Sequence, residues 1–397
     1  MSDARSDEPV SLVLTGGCAR GAYEFGALSV LLPELERLGQ RPRILLGTSV
    51  GALNVAYLAA TAHLPADESV RGGEAIWRSL GWADVIRHVI SLASAGRAVS
   101  YLGQAGGWPG ARLRSLLDPT PLGATIDRTI DFTRLGENVE RGALTAAAVV
   151  TTSALTHRTV VFHHGGGSPG FDTRRLINYV ATPVKAEHVR ASTSMPAVFP
   201  AALVDEPPAA AGWYYDGGTR LNAPLKPALA FGAKRIVVIG LSSLAPGRGA
   251  IAGDAQPDAF GGLSLLLQDL IGDQFVQDVH TLARVNEDIR AGSRGGRMPV
   301  PYIVVAPQQP DTIEELALGI FRKHYHGLGG LRRSPDIDIL GKLIGAGAEA
   351  ANATLLSLLL FDPEFIESLI DLGASDARRW IGKRHDGPEP LWQLGRI

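Results

Sequence analysis

Short apolar runs and longer stretches of helical period alternate along the first part of the chain. Residues 11–15 (SLVLT) and 44–46 (ILL) are too short for helices, and each runs into a glycine turn, which predicts buried strands. Between them Ala22, Phe25, Leu28, Leu31, Leu35 and Leu38 return at three- and four-residue spacing. That period predicts an amphipathic helix over 22–38, with a kink at Pro33 and a stop at Gly39. Residues 50–61, rich in small side chains, predict a second helix. Strand, turn and helix met twice in succession predict a parallel α/β sheet.

Beyond this start, residues 146–152 and 159–162 read as neighbouring strands, 235–241 as a buried strand and 302–306 as a further strand. Residues 77–117 read as helix with glycine-rich breaks, and 263–289 and everything past 312 as mostly helical. Glycine and proline clusters place irregular chain at 103–110, 163–167, 207–212 and 243–258. No linker cleanly divides the sequence. The expectation is one unit over 8–310 and a helical extension or cap over 311–397, with loops 103–110 and 244–262 as candidate lids.

Composition narrows the function. At 397 residues and 45% hydrophobic, the chain can bury a sizeable core. Its 38 basic and 40 acidic residues nearly cancel, so no global field attracts nucleic acid, and no nucleic-acid partner is expected. Cys18 is the only cysteine, which excludes an internal disulfide and a cysteine-based metal site. The first residues, MSDARSDEPV, do not read as a secretory signal, and no run approaches the roughly 20 apolar residues that span a bilayer. The expectation is a cytoplasmic protein, with peripheral membrane contact as an option. The run LLSLLLF at 355–361 reads as core rather than as a lipid-touching surface, and Pro363 ends or restarts its helix.

Three stretches carry candidate chemistry. Gly16-Gly17-Cys18-Ala19-Arg20-Gly21 follows the first strand. It lacks the lysine of a P-loop and the G-x-G-x-x-G spacing of a dinucleotide site. It remains a strand-to-helix turn or a set of inward-facing amides around Gly17 and Cys18 that could hold an oxyanion. Arg20 would tie this loop in place, add positive potential or simply face solvent. Gly47-Thr48-Ser49-Val50-Gly51 follows the second strand and opens the second helix, the context of a nucleophile elbow. Gly47 and Gly51 let strand and helix approach, Ser49 is exposed on the turn, and the Val50 amide at the helix start can donate to an oxyanion. A structural turn is the competing reading.

Asp216-Gly217-Gly218 follows Trp213-Tyr214-Tyr215. Asp216 can act as a base for a serine if burial raises its pKa; otherwise the stretch is an ordinary turn. Of the ten histidines, His280, His324, His326 and His385 follow Asp216 in α/β-hydrolase order, but none has a persuasive setting. His163 and His164 read as polar loop residues, and no metal-ligand spacing occurs.

Taken together, GGCARG at 16–21, GTSVG at 47–51, the block ASTSMPAVFP at 191–200 and DGG at 216–218 resemble the patatin-like phospholipase family. The resemblance runs from about residue 10 to 240 and on toward the strand at 302–306. It implies a three-layer α/β/α fold with a mainly parallel central sheet and, here, a helical C-terminal extension. It implies a dyad of nucleophile Ser49 and base Asp216, an oxyanion hole at the Gly17 and Cys18 amides, and a loop supported by Gly16, Arg20 and Gly21. It further implies acyl esters of lipids, phospholipids or lysophospholipids, as substrates, with no metal and no cofactor. An acyl-thioesterase or acyltransferase using the same serine, and a noncatalytic lipid-binding module, are the alternatives. Oligomeric state is left open.

Overall fold

The computed structural model describes residues 8–88, 115–245, 259–293, 296–325, 330, 333–343 and 352–396. Among them nine strands form one sheet: β1 (Val10–Leu14), β2 (Ile44–Thr48), β3 (Ala146–Ser153), β4 (Thr159–Gly165), β5 (Ile177–Ala181), β6 (Ala202–Val204), β7 (Gly212–Asp216), β8 (Arg235–Ile239) and β9 (Tyr302–Val305). The order is β5-β4-β3-β2-β1-β8-β9, with β7 joined to β3 and β6 to β7. From β3 through β9 the neighbours run parallel, and β4, β6 and β7 add antiparallel pairings on the β3 side. Strands β1, β2, β8 and β9 are buried along their whole length, as expected of predominantly apolar strands covered on both faces.

Helix α1 (Ala22–Arg37) runs unbroken through Pro33. It ends as predicted: Gly39 takes a φ of +68°, its amide donates to Glu36 O (2.9 Å), and the Gln40 amide donates to Leu35 O (2.7 Å). This is the paired closure that only a left-handed residue permits without strain. Helix α2 (Val50–Ala60) follows β2 directly, and α3 (Ala66–Ser79) packs across α1.

The chain after residue 310 folds back over α1 and the β8–β9 edge. The Pro363–Gly382 helix lies against α1, and Gly26 makes this approach close: a Cβ there would stand 2.0 Å from Ile370 O. Tyr23 donates to Asp376 at 2.9 Å. Buried Arg235 on β8 pairs with Glu389 at 2.8 Å, and Trp392 donates to Gln40 at 2.8 Å. Residues 355–361 are buried, in agreement with the core reading.

Strands β5 and β6 have no counterpart in the sequence reading. Both are short, β5 is half-buried, and only Val204 of β6 is buried, so neither shows a clean period. The aromatic stretch before Asp216 becomes β7. The loop expected at 207–212 contains a single 3-10 turn, Pro208–Ala210. The loop expected at 103–110, and most of those at 243–258 and 244–262, lie outside the described residues. No described helix is long and apolar enough to cross a membrane.

Candidate active site

Sheet register brings the two distant motifs together. β2 pairs with β3 as far as Thr48 opposite Val150. The next residues of β3, Thr151 to Ser153, pair with β7 instead. β7 therefore enters the sheet where β2 turns out of it, and its last residue, Asp216, arrives beside the residue after Thr48. That residue is Ser49, which lines the same pocket as Asp216 and whose hydroxyl acts on the Asp216 carboxylate to lower its pKa. Both side chains are buried.

Ser49 sits at φ 56°, ψ −125°, a strained conformation for a non-glycine residue. Its surroundings hold it there. The Ser49 amide donates to Ser192 Oγ at 2.9 Å, and Ser192 in turn donates to Val150 O at 2.6 Å. Thr48 Oγ1 donates to Leu221 O at 3.1 Å. Close approach explains the flanking glycines: a Cβ at Gly47 would lie 2.1 Å from Gly51 O, and one at Gly51 would lie 2.4 Å from Leu14 O. Val50 begins α2, so the positive end of that helix faces the serine.

The glycine loop lies against the elbow. A Cβ at Gly16 would stand 2.8 Å from Ser49 Cβ, and the Gly16 amide donates to Asn222 Oδ1 at 2.8 Å. Gly17 and Cys18 follow, with Cys18 at φ 49°, and the Arg20 amide closes the turn onto Gly17 O at 3.0 Å. Gly21 leaves room for Val50 and Trp77, where a Cβ would meet side-chain atoms at 2.4 and 2.8 Å. Asn54 on α2 donates to Gly21 O (3.1 Å) and to Glu24 (2.7 Å), and accepts from Trp77 (3.1 Å). Burial holds Glu24 well above the usual carboxylate range, against the opposing hydrogen bond from Asn54.

Arg20 is buried rather than solvent-facing. It donates to Ser357 Oγ through Nε (3.0 Å) and Nη2 (2.6 Å), to Glu314 (2.7 Å) and to Thr354 O (3.4 Å). It thus ties the glycine loop to the chain after residue 310. Burial, with the nearby Asp216 charge, pushes the Cys18 thiol up to about 12, which leaves it a poor nucleophile.

Burial also raises Asp216, to about 6, against the opposing influence of the Ser49 hydroxyl and the hydrogen bond from the Gly218 amide (2.7 Å). A carboxylate so tuned is a much better base than an exposed one. It also costs stability. The folded protein holds this proton more tightly than the unfolded chain, so its contribution is full below the ordinary carboxylate range and is lost as pH rises through about 6. Asp216→Asn is therefore expected to be more stable than wild type at pH ~8, by about 2–3 kcal/mol, with the gap closing toward pH ~4. Urea denaturation at both pH values checks this.

Two pockets meet at Ser49. One is almost wholly apolar, with about 780 Å³ of space between atoms including its open mouth. Leu53, Trp77, Phe199, Leu359 and Phe361 help line it, with Cys18 and Ser49 at one wall. The other holds Ser49, Asp216, Gly16, Gly17 and Asn222 under Met195 and Leu266. Among the described residues, no histidine lines either pocket. His163 pairs with Gly165 O (2.8 Å), His324 with Glu364 (2.6 Å), and His385 with Trp380 O (2.8 Å); His326 lies outside the described residues.

The sequence model for patatin-like phospholipases matches residues 12–229, more than half of the chain. The chain belongs to the patatin-like phospholipase family. No curated protein sequence matches this patatin-like protein. Among solved structures, the crystal structure of VipD from Legionella pneumophila is similar at 12% identity and a TM-score of 0.33. The similarity covers 76% of this chain and 62% of that one, so the patatin-like chain spans under two thirds of VipD.

Asn222, Ser192 and Asn54 are site residues that the motifs do not announce. Each acts through a hydrogen bond to a residue far away in sequence, and no spacing rule marks such a partner. Only the position of Ser192 inside the ASTSMPAVFP block gives a hint.

Proposed function

We propose that this protein is a serine hydrolase of lipid acyl esters, phospholipids or lysophospholipids among them, acting through Ser49 and Asp216 without a metal. Buried Ser49, shared by the apolar pocket and the pocket that holds buried Asp216, carries the reading. Asp216 takes the Ser49 proton as the serine oxygen attacks the acyl carbonyl carbon. Negative charge develops on the carbonyl oxygen, toward the Gly17, Cys18 and Val50 amides. Collapse expels the alcohol, which receives the proton from Asp216, and leaves the acyl group on Ser49. Water then attacks the acyl-enzyme, Asp216 takes its proton, and the fatty acid leaves as the proton returns to Ser49. The acyl chain rests in the apolar pocket, whose lining offers it little but methyl, methylene and ring carbon. Lipid is met by peripheral contact with its surface.

Intact-mass labelling with a fluorophosphonate tests this reading. A single adduct on wild type, absent from Ser49→Ala and strongly slowed in Asp216→Asn, is the expected result. Labelling that survives Ser49→Ala, or a folded wild type that takes no label, would sink the assignment.

A further inference from the structure

The apolar pocket is not built by the family-matched region alone. Leu359 and Phe361, far beyond residue 229, form part of its wall. An inverse γ-turn makes this possible. The Phe361 amide donates to Leu359 O at 3.0 Å across Leu360, whose φ and ψ are −82° and 78°. The turn ends the Ala353–Leu359 helix and brings the side chains on either side of Leu360 to the same pocket.

The same short segment holds the glycine loop. Ser357, fully buried, accepts two donors of the Arg20 guanidinium and donates to Thr354 O at 2.7 Å. Glu314 supplies the charge that balances Arg20. The far end of the segment is anchored independently. Buried Asp362 accepts from Arg333 (2.7 and 3.0 Å), Tyr325 (2.8 Å) and the Glu364 amide (2.9 Å). A wall pinned at both ends does not collapse when one side chain is shortened, so a cavity made there stays open.

We propose that residues 353–361 are the acyl-reading element of this enzyme: Leu359 and Phe361 determine which acyl chain lengths fit, and Ser357 positions the oxyanion loop through Arg20. Pocket and loop are thereby set by one segment, and it lies outside the part of the chain shared with the family model. The proposal rests on the hydrolase reading above.

The test is hydrolysis of p-nitrophenyl esters from butyrate to palmitate by the full chain. Phe361→Ala should shift the preferred chain toward longer acyl groups, and each newly admitted methylene should raise kcat/KM about fourfold, the gain from burying one CH2. Phe361→Trp should shift the preference the other way. Phe361→Leu, a milder change that guards against misfolding, should move it in the same direction as Phe361→Ala by a smaller step. Ser357→Ala should instead lower kcat about tenfold at every chain length with little change in KM, and Ser357→Thr should restore most of it. A chain-length profile that stays put in folded Phe361→Leu and Phe361→Trp overturns the specificity assignment while leaving the hydrolase reading standing. An unchanged kcat in Ser357→Ala overturns the positioning role. A wild type that cleaves no ester in the series and takes no fluorophosphonate overturns the hydrolase reading, and this proposal with it.

Discussion

Ser49→Ala is expected to lower kcat for ester hydrolysis by about a million-fold, and Asp216→Asn by about ten-thousand-fold. The asymmetry follows from the proposed roles. Without the Ser49 oxygen no acyl-enzyme forms, and only pocket binding and the oxyanion donors are left. Without the Asp216 carboxylate the serine still stands in the elbow, against the same loop, but its proton has nowhere favourable to go. The two losses should not add, because each variant breaks the same step.

The pH dependence separates this mechanism from one that uses a histidine at the same place. A base must be ionised to accept a proton, and burial places Asp216 at about 6. Wild-type kcat/KM is therefore expected to rise with pH through about 6 and then level off, and the residual activity of Asp216→Asn should lack that limb. The buried histidines offer no substitute. Burial lowers both His163 and His188; both ring nitrogens of His188 are taken up with backbone groups at Glu206 and Lys185, and His163 pairs through Nδ1 with Gly165 O and lines neither pocket at Ser49. A limb at the same pH that persists in Asp216→Asn would point to another base.

How far the site could be read from sequence depended on what each residue has to do. Ser49 was legible because a tight turn between a buried strand and a helix needs small neighbours at fixed offsets, and Gly47 and Gly51 supply them. Asp216 was legible only in company, since an aspartate before two glycines is an ordinary turn until a serine elbow asks for a base. Arg20 remained open between solvent and a structural tie, because its partners Glu314, Thr354 and Ser357 lie in a distant segment with no motif of its own. The apolar pocket was not legible at all. Leu53, Trp77, Phe199, Leu359 and Phe361 carry the same apolar signature as any core residue, and only the folded register shows that they surround an opening. The strands followed the same rule: β1, β2, β8 and β9 are dominated by apolar residues, whereas β5 and β6, at the margin of the sheet, are too mixed and too short to stand out.

Gly47→Ala and Gly51→Ala are each expected to destabilise the fold by more than ~3 kcal/mol, the upper range for forced overpacking. The positions differ from most glycines in what opposes a side chain. At Gly47 the obstruction is the backbone of Gly51 and Ala52, and at Gly51 it is the backbone of Leu14 and Thr15. Backbone on a central strand and helix cannot swing aside as the end of a flexible side chain can, so the added methyl must push β2, α2 and β1 apart. Gly39→Ala provides the contrast. Its φ of +68° penalises any side chain, but a Cβ there meets nothing within 4 Å, so the cost should stay near the ~1–2 kcal/mol of a left-handed non-glycine residue. Urea midpoints of the three variants would rank them. If Gly47→Ala and Gly51→Ala fell no further than Gly39→Ala, the elbow would have slack to spare. The spacing of its glycines would then owe nothing to the approach of strand and helix, and the strained Ser49 conformation would need another support.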